Sequence, residues 1–75
     1  MSCHMNRAML EDHLAATEQQ LAEVERHVAY QRELVAQLEY DGHDTAQATE
    51  ILKQFEEVLA MHVADRDWLR KALGL

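Results

Sequence analysis

The chain has 75 residues with no proline, two glycines and four aromatic residues, and Ala, Leu, Glu and Gln dominate it. So short a chain has little interior for a catalytic pocket, which argues against an elaborate enzyme, and its composition suits long helices rather than sheets. Fourteen acidic against seven basic residues leave a net charge of −7; such a surface repels a phosphate backbone or an anionic bilayer, so neither nucleic acid nor a membrane is an expected partner.

The start Met1-Ser2-Cys3-His4-Met5 lacks a basic segment followed by an apolar one, so it does not read as a secretion signal. Met5-Asn6-Arg7 serves equally well as a start, and residues 1–5 are expected to be a disordered or non-native leader. The single cysteine, Cys3, has no partner for an intramolecular disulfide, which fits a reducing cytoplasm. Charged or amide residues recur every three or four positions, so no apolar run approaches the roughly 20 residues that cross a bilayer.

The first predicted element is a helix over residues 6–40. It keeps a seven-residue repeat, with Leu14, Leu21, Val28 and Val35 at core position a and Leu10, Thr17, Val24, Gln31 and Leu38 at d. The breakers Asp41-Gly42-His43-Asp44 then predict a turn over 41–44. Gly42 suits the left-handed position past a helix end, while Asp44 with Gln47 reads as a capping box for the next helix. That second helix is expected over 45–73, with Leu52, Leu59, Arg66 and Leu73 at a and Ala48, Phe55, His62 and Leu69 at d. Its seam has a polar break at His62 and Arg66.

Folding back at Gly42 brings together residues whose numbers sum to about 86, and the flanking positions agree with that register. On the e side Glu18 meets Arg70 and Arg32 meets Glu56; on the g side Leu34 meets Ile51 and His27 approaches Val58. The expected fold is therefore an all-α, antiparallel two-helix hairpin of coiled-coil type.

A two-helix contact buries too little apolar surface to offset the entropy of ordering about 65 residues. The remaining apolar side chains gather on one side of the hairpin: Leu34, Ile51, Val58 and Ala72 at g, with Met9, Ala16, Tyr30, Met61 and Trp68 at c. The opposite side carries Glu11, Glu18, Glu25, Arg32, Glu39 and Glu56 beside a column of alanines at 8, 15, 22, 29 and 36, which reads as a solvated face. The apolar strip predicts a homodimer in which two hairpins form a four-helix bundle, with Tyr30, Leu34, Ile51, Val58, Met61 and Trp68 as its interface. Trp68 reads either as a dimer anchor or as a docking site for another protein.

Five histidines raise the question of metal. His13 and His27 lie about 21 Å apart along one helix and cannot share an ion. His27 and His62 with one carboxylate are the remaining weak candidates, against a reading as hydrogen-bonded seam residues. Neither a ferritin-like Glu-x-x-His pair nor His-Glu-x-x-His is present, and no cofactor is expected. Protonating His62 beside Arg66 would put two positive charges into one seam unless Asp65 and Glu18 neutralise them, so a pH-sensitive layer is an alternative. No catalytic residue stands out: the lone serine is Ser2, the lone cysteine Cys3, and no glycine-rich phosphate loop exists.

The segments Met5-Asn6-Arg7, Glu25-Arg26-His27-Val28, Gln31-Arg32-Glu33-Leu34-Val35, Gly42-His43-Asp44-Thr45 and His62-Val63-Ala64-Asp65-Arg66-Asp67 together resemble a family of small uncharacterised bacterial helical-hairpin proteins. The resemblance spans nearly the whole chain from Met5. It implies a bacterial, cytoplasmic helical hairpin and attaches no reaction, ligand or partner. The expected function is that of a non-enzymatic structural or protein-interaction module that self-associates through its apolar flank. The alternatives are a regulatory adaptor that binds a helix of a larger protein, and a metal- or pH-responsive module using His27 and His62.

Overall fold

A computed structural model describes residues 6–75 of the chain; the leader read at residues 1–5 lies outside the described residues. Two helices, α1 (Arg7–Tyr40, 34 residues) and α2 (Ala46–Ala72, 27 residues), run antiparallel and pack along their lengths as an all-α hairpin. The rod measures 62 × 16 × 15 Å, with a radius of gyration of 17.1 Å. A compact domain of this length would have about 11 Å. Few side chains can therefore be enclosed, and most of the chain is surface.

Each boundary has a local cause. Asn6, at φ −74° and ψ 165°, is the cap of α1, and its side chain accepts the Met9 amide at 2.8 Å. At the other end, Gly42 takes φ +75°. The His43 amide donates to the Leu38 carbonyl at 2.9 Å and the Gly42 amide to Glu39 at 3.1 Å. These two bonds form the Schellman closure, which needs a residue free of Cβ strain at Gly42. The same pattern ends α2: Gly74 has φ +78°, with Leu75 donating to Arg70 at 2.8 Å and Gly74 to Lys71 at 3.0 Å.

The start of α2 corrects the expected capping box. The cap is Thr45, one residue later, and no side chain caps it. Asp44 Oδ1 accepts from the Ala46 amide at 2.9 Å, which is an Asx turn spanning two residues rather than a reach of three. With Asp44 outside the helix, Gln47 falls one position short of the place from which a capping-box side chain reaches back. The connection is accordingly residues 41–45.

The heptad seam is the core. Every a and d position from Leu10 to Leu38 and from Ala48 to Leu73 is buried or half-buried. Between Arg7 and Leu73, only Thr45, Val63 and Asp65 share that status without being seam positions. Leu14, Leu69 and Leu73 form a buried cluster with Leu10 packed against it, and Leu69 is fully enclosed. Two polar side chains are buried in the seam, Thr17 and Gln31. Gln31 Nε2 donates to the Ala48 carbonyl at 2.9 Å, and the Thr17 hydroxyl donates to the Asp65 carboxylate at 3.3 Å. Among the described residues no buried side-chain polar atom lacks a partner.

One of the two expected e-side ion pairs forms, Arg32 to Glu56 at 3.0 Å. Glu18 and Arg70 do not close to ion-pair distance among the described residues. Near the ends of the rod, the Arg7 guanidinium donates to the Leu73 carbonyl at 3.2 Å. A cation thus satisfies an otherwise open carbonyl at the negative end of α2. No helix among the described residues is long and apolar enough to cross a membrane.

Candidate functional site

Heptad geometry places the g and c positions of both helices on one flank and the e and b positions on the other. On the e and b flank, the alanines at 8, 15, 22, 29 and 36 and the charged residues Glu11, Glu18, Glu25, Arg32, Glu39 and Glu56 are all exposed. The other flank carries the apolar surface that the seam leaves uncovered. Tyr30, Met61 and Trp68 are 68%, 69% and 58% exposed, while Leu34, Ile51 and Val58 lie between 36% and 39%. Met9 belongs to the same strip, and it too is exposed. All six sequence-predicted interface residues are exposed, on the flank to which their heptad positions assign them. Across the middle of α2, Met61, His62, Ala64, Asp65 and Trp68 line a shallow open depression.

The polar groups of this flank have partners that the sequence reading did not find. His13 Nε2 stands 3.7 Å from Asp65 Oδ2, the same oxygen that accepts the Thr17 hydroxyl. Asp65 thereby meets two side chains of α1 and accepts a hydrogen bond from one of them, Thr17. Arg66 turns aside and holds Asp67 through two bonds of 3.1 and 3.0 Å. Of the two readings of the His62 and Arg66 layer, neutralisation by Asp65 and Glu18 does not form at Arg66, whose ion-pair partner among the described residues is Asp67.

His27 stacks on Phe55, with ring centroids 5.5 Å apart and planes 12° from parallel. The sequence reading brought His27 near Val58 and did not name the ring beside it; Phe55, one step inward on the seam, offers a flat apolar surface that an imidazole covers well. No group of three or more His, Cys, Asp or Glu side chains suited to a metal ion occurs among the described residues. The candidate cluster of His27, His62 and a carboxylate is therefore not assembled.

Comparison with protein-family models, with curated proteins and with solved structures finds no match to this chain. What the flank can do must follow from its own chemistry. It offers a long, largely apolar strip with aromatic and thioether side chains.

Proposed function

We propose that the protein is a non-enzymatic, cytoplasmic interaction module that self-associates through its apolar flank as a homodimeric four-helix bundle. The observation that carries this reading is the exposure of Leu34, Ile51, Val58, Met61 and Trp68 along one side of a rod whose opposite side is mostly charged or alanine. A hairpin enclosing only a narrow seam gains most from covering such a strip, and a second copy presents the complementary face by symmetry. The motif resemblance adds a bacterial setting to the proposal.

Light scattering of the purified protein should give twice the mass of the chain. Val58→Asp or Leu34→Asp should yield a monomer that has lost most of its helix content. A stable, fully helical monomer of the natural sequence would refute the proposal. A second reading draws on the depression beside Met61 and Trp68, which suits an amphipathic helix of a larger protein. Trp68→Ala separates the two. It should weaken self-association by about tenfold or more if Trp68 anchors the dimer, whereas an adaptor would lose a foreign partner and keep its own dimer.

A further inference from the structure

We propose that the Asp41-Gly42 step is a self-modification site, where the chain forms a succinimide and then isoaspartate, and that the turn gates this reaction. It is the one Asp-Gly step in the sequence, and both residues are exposed at the tip of the hairpin. The inference is independent of self-association. The chemistry needs no co-reactant but water. The Gly42 amide nitrogen attacks Cγ of Asp41; a C–N bond forms, a C–O bond breaks, and the amide hydrogen leaves with the carboxyl OH as water. Water then adds to one of the two imide carbonyls and breaks its bond to nitrogen. Opening at one carbonyl restores aspartate. Opening at the other runs the main chain through Cγ, one methylene longer, and leaves the former backbone carbonyl as a free carboxylate. Glycine leaves the attacking nitrogen unshielded, and the space beside Gly42 is open, since a Cβ built there meets nothing within 4 Å.

The folded turn holds this reaction off. The five-membered ring requires Cβ of Asp41 and the Gly42 nitrogen to eclipse about the Cα–C bond, at a ψ of about −120°. Asp41 instead has ψ −2°, in the helical region, which keeps the two atoms well apart around that bond. Rotating the peptide into place would take the Gly42 amide from the Glu39 carbonyl, 3.1 Å away, and the His43 amide from the Leu38 carbonyl, 2.9 Å away. Ring closure therefore has to wait until the end of α1 opens. Gln37 adds a second restraint. Its Nε2 donates to both carboxylate oxygens of Asp41, at 3.2 and 3.1 Å, and holds back the group that has to swing toward Gly42.

The product cannot rebuild the same turn. With a methylene inserted between Cα of Asp41 and the Gly42 nitrogen, the Gly42 and His43 amides no longer fall together on Glu39 and Leu38, and the closure that ends α1 is lost. Opening of the turn is reversible, whereas the isoaspartate formed during it is a lasting covalent change.

The test incubates the full chain in warm neutral buffer and in denaturing guanidinium, and maps position 41 by chromatography and mass spectrometry, with Asp41→Glu as the control for position. Isoaspartate at 41, preceded by a species one water lighter, should form in denaturant and accumulate at least about tenfold more slowly in the folded chain. Equal rates, with helix content retained in buffer, overturn the gating, and no isoaspartate at 41 in denaturant overturns the site. Gln37 is exposed, so Gln37→Ala leaves the seam intact. It should speed the folded reaction about twofold and leave the rate in denaturant unchanged; an unchanged folded rate overturns the restraint. The purified isoaspartyl chain should have a lower urea midpoint than the parent, and an equal midpoint overturns the structural consequence.

Discussion

At the scale of single residues, Gly42 shows how a local requirement fixes the whole hairpin. Its φ of +75° closes the end of α1, and a Cβ built there meets nothing within 4 Å. The cost of a side chain is therefore one of backbone conformation and not of collision. Gly42→Ala should lower stability by about 1 kcal/mol, seen as a lower urea midpoint at fixed protein concentration with the helix content in buffer unchanged. Gly74 carries the same conformation at the far end of α2, where a substitution should only fray the last turn. Gln31 is a residue of another kind. Its side chain fills a core position and spends a hydrogen bond on the Ala48 carbonyl, which an apolar residue could not do and which holds the two helices in one register.

Between the two helices, the energetic weight lies in the seam and not in the charges beside it. Leu69 is fully enclosed in the cluster with Leu14 and Leu73, so Leu69→Ala should cost about 2–5 kcal/mol, enough to unfold most of so small a structure. The Arg32–Glu56 pair is close, at 3.0 Å, but its side chains are 61% and 43% exposed. Arg32→Ala should therefore change stability by less than about 1 kcal/mol. Thermal melts of the two variants at equal concentration would check both expectations. This contrast also explains what the sequence disclosed. The heptad repeat determines which residues face inward, because burial depends on helical periodicity alone, and each a and d residue from Leu10 to Leu73 is found where that repeat puts it. Gly42 was legible for the same reason: one residue type serves one backbone conformation. Polar partners were not legible. Asp44 had two amides within reach, Asp65 faced α1 instead of its own turn, Arg66 had a carboxylate next door, and His27 found the Phe55 ring. Each choice turns on an ångström or two of side-chain placement that residue spacing does not encode. Asn6 as a cap and Gly74 as a second helix stop did carry recognisable signals, and the reading passed over both.

For the molecule as a whole, shape is the governing fact. A rod 62 Å long and about 16 Å across has almost no interior beyond its seam, so in the proposed homodimer its stability would lean on the copy that covers the flank. For a homodimer this ties stability to concentration. A tenfold rise in protein concentration should raise the melting temperature by about 3–5 °C, whereas an independent hairpin would melt at the same temperature throughout. Scanning calorimetry over a hundredfold dilution series reads this directly. The bond from Arg7 to the Leu73 carbonyl has a further mechanical meaning, because it shows that the residues leading into α1 and out of α2 share one pole of the rod. Tension applied across that pole would peel the hairpin open one layer at a time, with the leucine clasp the first to give.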